Sequence, residues 1–155
     1  MKSFEIEDIA DFVKKLFSES FFSKLHVYHM EVRGACSIDI DGRANKEFFD
    51  EEVEDYVSWE SVKMLFYQAI RGERLPIRFS ISFVESREGI RNFIEKSGVN
   101  TDPEIVSSLN INVMYDQKKL YITSGNSYRI FTMDKSLDGL WDAFVQNSFK
   151  KLEIS

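Results

Sequence analysis

An apolar pattern in the first half of this chain recurs in the second half at a nearly constant distance. The helical stripe that begins at Ile9 returns in the stripe that begins at Ile90, an offset of 81 residues. Trp59 and Trp141, each inside a later apolar stripe, are 82 residues apart. Two runs of elements in the same order constrain how the core is divided, because equivalent apolar faces have to meet in one interior.

Length and composition predict a single folded domain, residues 1–155. The chain has 155 residues, 43% of them hydrophobic, with 14 Phe and only 2 Pro, and a domain of this size buries roughly 70% of its unfolded surface. Apolar patterns with the periods of strands and of helices both occur. We therefore predict an α+β fold in which an antiparallel sheet packs against about four helices. The recurrence allows two tandem β-α-β-β-β-α halves, residues 1–75 and 76–155.

The charge and the N-terminal sequence argue against several classes of protein. The formal net charge of −6 opposes wholesale adsorption to nucleic acid or anionic lipid, since phosphate binding needs a basic excess. The N-terminal residues lack the apolar core of a signal peptide, and no apolar run approaches the ~20 residues that span a bilayer. The single cysteine, Cys36, suits a reducing compartment. We expect a cytoplasmic protein that does not bind membranes, with Cys36 buried.

No complete metal, cofactor or catalytic motif occurs in the sequence. His26 and His29, the two histidines, lie three apart on a predicted strand and therefore on opposite faces, so they would not share a metal ion. The polar stretch Thr123 to Ser127 lacks the GxxxxGK[ST] pattern of a phosphate-binding loop and is predicted to connect two strands, with a further strand at Tyr128 to Thr132. We predict no metal and no cofactor.

Asp39 and Asp41 are the candidates for catalysis. Because they lie two apart on a predicted strand, both carboxylates project from the same face. Such a pair can hold Mg²⁺, or one carboxylate can raise the pKa of the other by like-charge repulsion. Together with Arg74 or Arg78 they would form the site of a small-molecule enzyme, which is one alternative function. The structural alternative is a row of polar side chains that face water.

A cluster of arginines marks a candidate anion site. Arg71, Arg74 and Arg78 flank a predicted helix end and the start of a strand. Guanidinium groups in one place favour an anion or a phosphate group. The structural alternative is that Arg71 compensates the dipole at the end of the helix while the other two are solvated.

An acidic segment with adjoining aromatic residues is the preferred contact surface. Aromatic side chains beside acidic ones are suited to dock a basic protein partner, whereas burial of both phenylalanines would leave only a solvated loop. Because catalytic motifs are absent, we predict a noncatalytic binding or interaction module with a protein partner. The residues concerned are Phe48, Phe49, Asp50, Glu51 and Glu52.

Landmark segments spread along the chain are Ile40 to Arg43, Arg71 to Pro76 and Phe131 to Asp138, together with Phe48 and Trp141-Asp142. They resemble a family of small uncharacterised proteins from anaerobic Gram-positive bacteria. The resemblance covers nearly the full length. It implies a domain of unknown function in a bacterial cytoplasm, with no assigned active residues.

The predicted order of elements is also similar to one domain of the ring-shaped sliding clamps that encircle DNA. That resemblance implies helices that face DNA and sheets on the outside. The Trp-bearing helix in each half departs from the clamp pattern. A clamp-like nucleic-acid-associated protein is the other alternative function. The residues that would form its basic face are Lys14, Lys15, Arg91 and Lys96.

Overall fold

The structure, a computed structural model, describes residues 1–155 and contains one seven-stranded sheet with helices packed against it. Every strand pairing is antiparallel. The predicted α+β class is confirmed. The strands are β1 (Lys2–Ile6), β2 (His26–Arg33), β3 (Ser37–Asp41), β4 (Val57–Ser58), β5 (Arg78–Val84), β6 (Val106–Asp116) and β7 (Lys119–Tyr128).

Five helices complete the fold, and a side chain caps the N-terminus of three of them. The helices are α1 (Ile9–Ser18), α2 (Ser20–Ser23), α3 (Trp59–Ile70), α4 (Arg87–Ser97) and α5 (Ser136–Lys151). Ser58 and Ser86 cap α3 and α4, because each hydroxyl accepts a hydrogen bond from a backbone N–H of the first turn. Gly98 ends α4 with a φ of 72°, a left-handed conformation that glycine adopts without strain. None of the helices combines the length and the apolar composition needed to cross a membrane.

The pairing of the strands differs between the two predicted halves. The strand order is β1-β7-β6-β5-β2-β3, and β4 also pairs with β2. β5 is central and pairs with both β2 and β6, whereas β1 pairs with β7 instead of β2. The halves therefore share the order strand, helix, strands and Trp-bearing helix, but their first strands occupy different positions in the sheet.

The two tryptophans are both fully buried but make different contacts. Trp59 is the first residue of α3, and its indole N–H donates to the Leu16 carbonyl oxygen at 3.3 Å. Trp141 lies within α5, and its indole N–H donates to the Asn110 carbonyl oxygen of β6 at 2.9 Å. The recurrence in sequence therefore does not extend to the partners of these side chains.

The helices cover one face of the sheet, and the core lies between them and that face. A single cluster of 28 buried residues draws on both halves of the chain. α5 packs against α1 through Phe149 and Phe12, whose ring centroids are 6.4 Å apart, and against α4 through Trp141 and Phe93, at 5.2 Å. We call the opposite face, which carries polar side chains of β5 and β6, the outer face.

The polar stretch Thr123 to Ser127 lies inside β7, so its prediction as a loop is wrong. Ser124 is fully buried and its hydroxyl donates to Asp142 of α5 at 2.6 Å. At Gly125, a Cβ would lie 2.8 Å from the side-chain oxygen of Asn110. These polar residues are compatible with a strand because their neighbours satisfy them.

The further strand predicted at Tyr128 to Thr132 is also wrong, since β7 ends at Tyr128.

Cys36 is exposed, so the prediction of a buried thiol is wrong. The residue lies between the end of β2 at Arg33 and the start of β3 at Ser37. A tight connection between two antiparallel strands projects beyond the sheet and its side chains face water. The neighbouring apolar residues suggested burial, but only those on β3 itself, such as Ile38, pack against the core.

Candidate functional site

A β-bulge in β2 places both histidines on the outer face. The register between β2 and β5 shifts between Val27 and His29, which leaves Tyr28 as the extra residue. One extra residue reverses the alternation of side chains along a strand. His26 and His29 are therefore both on the side away from the core, and the prediction that they lie on opposite faces is wrong.

A concave pocket of about 460 Å³ lies on the outer face, where β5 runs into α4. Its volume falls in the range of roughly 300–1,000 Å³ that is typical of small-molecule sites. Side chains from β2, β5, β6, β7, the first turn of α4 and the segment before β4 form its walls. We call it the sheet pocket.

A row of hydrogen-bonded side chains forms the floor of the sheet pocket. The hydroxyls of Ser127 and Ser108 are 2.7 Å apart. The Asn110 amide donates to the Ser108 hydroxyl at 3.3 Å, and the Asn112 amide donates to the Asn110 side-chain oxygen at 3.2 Å. Each member orients the next, so this Ser/Asn row presents fixed donors and acceptors towards the pocket.

His26 brings an unsatisfied ring nitrogen to the pocket. Its Nδ1 atom is buried and has no hydrogen-bond partner. Burial lowers the pKa of His26, although the carboxylate of Glu54 acts in the opposite direction. A neutral imidazole has one nitrogen that donates and one that accepts. Because Nδ1 is sealed from solvent, Nε2 is the ring nitrogen that is left to form a hydrogen bond with a group from outside the protein.

Glu85 lies at the junction of β5 and α4 without a charged partner. Burial raises the pKa of Glu85 to about 7, and no opposite charge offsets that effect. Its Oε2 atom lies over Gly89, where an added Cβ would be only 2.2 Å away. The glycine thus leaves room for this carboxyl group beside the first turn of α4. Near neutral pH the group exchanges between an acceptor and a donor form.

Two tyrosines form an aromatic wall. The ring centroids of Tyr28 and Tyr56 are 5.4 Å apart, with an interplanar angle of 59°. The bulge directs Tyr28 outward, and half of this residue is exposed (50%). Burial raises the pKa of Tyr56, so its hydroxyl stays protonated and remains a hydrogen-bond donor.

The two arginines of the sheet pocket have different roles. Arg87 donates to the carbonyl oxygens of Val106 and Pro103, at 2.7 and 3.0 Å, and so ties α4 to the start of β6. Arg129 follows β7 directly and is exposed. Arg87 is thus a structural residue, whereas Arg129 supplies a guanidinium group at the rim.

The predicted catalytic pair, Asp39 and Asp41, lies on β3, outside the sheet pocket. Asp39 pairs with Arg33 at 3.0 Å, and its Oδ1 lies 3.7 Å from the Nε2 of His29. Asp41 pairs with Arg43 at 3.1 Å. Hydrogen bonds from Arg43 hold the pKa of Asp41 below its usual range. Both side chains project from the outer face, and each carboxylate has its own arginine.

The three arginines of the candidate anion site are not equivalent. Arg78 donates to Glu31 at 2.7 Å across the β2–β5 pair. Arg71 caps the C-terminus of α3, and Arg74 lies in the loop that follows. Arg71 and Arg74 are both exposed. The guanidinium of Arg78 is therefore already engaged by a carboxylate, and the other two lie on the connection before β5.

The basic residues of the two clamp-like helices are separated by α5, which packs between α1 and α4. Lys15 pairs with Asp11 at 2.9 Å. Arg91 pairs with Glu104 at 3.4 Å. Lys14 and Lys96 are exposed. The four side chains therefore occupy two places on the surface.

The acidic segment is exposed as its charge pattern predicts. Phe48 is 79% exposed and its ring contacts that of Phe49 edge to face, with centroids 5.3 Å apart. Phe49 is half-buried, and neither ring belongs to the core. Asp50, Glu51 and Glu52 are exposed beside them. The same segment continues into the sheet pocket, because Glu54 and Tyr56 line it.

Sequence reasoning missed the sheet pocket because its residues come from elements far apart in the chain. One signal was nevertheless present in β2. Buried apolar residues at Leu25 and Val27 are followed by Met30 and Val32, and the spacing of three between Val27 and Met30 breaks the period of two. Such a break indicates a bulge, and bulges are frequent next to functional sites.

Comparison with known proteins gives a family and no function. A family model described as "Family of unknown function (DUF5721)" matches residues 15–155. No curated protein and no solved structure matches the chain. The match includes every residue that forms the sheet pocket, and it confirms the predicted membership of a domain-of-unknown-function family. The chain belongs to the family of unknown function DUF5721.

Proposed function

We propose that the protein is a noncatalytic binding module that takes a small polar ligand in the sheet pocket. The observation that carries this proposal is a concave site lined by polar side chains with no hydrogen-bond partner in the protein. Buried polar groups are normally paired, so unpaired ones in a cavity favour an external partner. The buried unpaired atom is Nδ1 of His26. The side chains of Glu54, Ser82, Glu85 and Arg129 also line the pocket and make no hydrogen bond to the protein, although they are not fully buried.

The contacts of the same side chains favour binding over catalysis. A nucleophilic mechanism requires a Ser, Thr or Cys in hydrogen-bond contact with a base. In the sheet pocket the hydroxyls of Ser107 and Ser108 bond to that of Ser127, and Ser86 accepts from a backbone N–H. Ser82 has no partner, and His26 bonds to none of these serines. A cytoplasmic location is part of the proposal, since the exposed thiol of Cys36 is suited to a reducing compartment.

Ligand-induced stabilisation tests the proposal. A panel of monosaccharides, amino acids and nucleotides is screened for an increase in thermal stability, since a ligand that binds the folded state raises the midpoint. Ser82→Phe fills the pocket from β5 and should abolish the increase. Ser80→Phe is the matched control, because it lies two residues away on the same face outside the pocket. The proposal would be contradicted if a ligand stabilised the two variants equally, or if no member of the panel stabilised the wild type.

A second candidate is docking of a basic protein segment on the acidic segment. The observation that favours it is the exposed ring of Phe48 beside exposed acids. A fluorescent lysine-rich peptide should bind with an affinity that falls as salt rises, and Phe48→Ser should weaken it. Phe131→Ser is the control, since Phe131 is similarly exposed but lies outside the segment. If neither higher salt nor Phe48→Ser weakens binding of the peptide, this candidate function is rejected.

A further inference from the structure

We infer that the ligand of the sheet pocket is a neutral polyhydroxylated molecule with the chemistry of a monosaccharide ring. This inference rests on the proposed function and names its ligand class. It follows from three properties of the pocket: the balance of its hydrogen-bonding groups, its aromatic wall and its polar groups that have no partner in the protein.

The pocket holds donors and acceptors, and charges of both signs, in close succession. Carboxyl groups come from Glu54, Glu85 and Asp55, the last of which is paired with Lys46. Arg129 and Arg87 offer only donors, and those of Arg87 are already engaged by carbonyl oxygens. The Ser/Asn row offers both kinds of group at fixed positions. A purely anionic ligand would face the carboxylates, and a purely cationic one would face the guanidinium. A hydroxyl group donates and accepts at once, so a molecule with several hydroxyls bonds to both kinds of group without bringing in a charge that one of them would repel.

The aromatic wall provides an apolar surface for the faces of a ring. The Tyr28 ring is tilted by 59° against Tyr56 and is half exposed, so it has area that neither the core nor its partner covers. The faces of aromatic rings carry negative charge density, which attracts the weakly positive C–H groups of a saturated ring. A sugar ring combines such C–H faces with hydroxyls around its edge, which matches an aromatic wall above a polar floor.

The unsatisfied groups fit the same ligand. The buried Nδ1 of His26 has no partner, and the carboxyl of Glu85, which is partly buried, has no charged partner. Leaving a buried polar atom unpaired destabilises the protein. Because burial lowers the pKa of His26, the ring stays neutral at physiological pH and can accept a hydrogen bond from a ligand hydroxyl.

The test compares probes of matched size by changes in the amide NMR spectrum of the full chain. The hydroxylated probes are glucose, galactose and myo-inositol. Tetrahydropyran is the control that keeps the ring without hydroxyls, and putrescine and succinate are the charged controls. We expect at least one hydroxylated probe to shift the signals of the pocket residues, and tetrahydropyran to shift none.

Two variants separate contact with the ligand from loss of folding. Tyr28→Ala should weaken binding of the hydroxylated probe by tenfold or more. Tyr121→Ala, which removes an exposed tyrosine of β7 outside the pocket, should leave it unchanged. Binding of a charged probe alone in the pocket would overturn the ligand class and keep the proposed function. If no probe binds, both the ligand class and the proposed small-ligand site fall.

Discussion

Among individual residues, Glu85 has the clearest influence on how stability depends on pH. Its pKa in the folded protein is about 7, above the ordinary value of 4.5. The folded state therefore binds this proton more tightly than the unfolded state, and its stability falls as the pH rises from 4.5 to about 7. The upward shift corresponds to about 3 kcal/mol.

We predict that Glu85→Gln stabilises the protein above neutral pH, by up to about 3 kcal/mol near pH 8, and has little effect near pH 4. The reason is that burial of an uncharged amide costs less free energy than burial of an ionised carboxylate. Urea denaturation at the two pH values measures the difference. Glu88→Gln is the matched control, because Glu88 is an exposed glutamate three residues further along the chain, in the first turn of α4. A stabilisation of equal size at both pH values would show that burial of charge is not its cause.

At the scale of single elements, the bulge of β2 depends on a close contact with Gly42. An added Cβ at Gly42 would lie 1.8 Å from the carbonyl oxygen of Val27. The backbone N–H of Gly42 also donates to the Tyr28 carbonyl oxygen at 3.0 Å. The glycine therefore allows the chain after β3 to lie directly against the bulge.

Gly42→Ala should destabilise the protein by about 3 kcal/mol, since the obstructing atoms are backbone and cannot move aside as a side chain does. The change in the free energy of unfolding by urea is the measurement. Gly34→Ala is the control, because a Cβ there meets Pro76 at 3.6 Å, an ordinary contact. If the two substitutions cost the same, close packing at the bulge is not what requires glycine.

Periodicity predicted most helices and strands but not their irregularities. The apolar stripe and serine caps of α3 and α4 follow local rules, and the structure has both helices as expected. To predict the bulge at Tyr28, the spacing of apolar residues before it would have had to be compared with the spacing after it. The stretch around Ser124 resembled a loop because its partner, Asp142, lies on another element. Local patterns do not show which distant group will satisfy a polar side chain.

At the scale of the whole molecule, one core serves both halves, and the protein should unfold as a single unit. The 28-residue cluster includes Trp59 and Trp141, both fully buried. Trp59→Phe and Trp141→Phe each leave a single tryptophan as a fluorescent reporter. We predict that, in each variant, the urea unfolding transition followed by fluorescence coincides with the one followed by circular dichroism. Within either variant, a fluorescence midpoint that differs from the midpoint of circular dichroism would show that the halves unfold separately.

The sheet pocket is a property of the whole fold, which explains why the sequence pointed elsewhere. The sequence-based candidates were groups of neighbours in the chain, such as Asp39 with Asp41, or Arg71 with Arg74. The pocket instead joins His26, Glu85 and Arg129, which only the order of strands brings together. The family resemblance predicted membership correctly, but it carried no site residues to compare.

The pairing of β1 with β7 has a consequence for biosynthesis. Lys2 to Ile6 emerge from the ribosome more than 100 residues before their hydrogen-bonding partners, Leu120 to Ser124. A nascent chain therefore exposes an unpaired strand edge over that interval, and such edges attract other chains. Contacts this distant along the chain also slow folding, so that the first strand of the sheet waits for one of the last to be made.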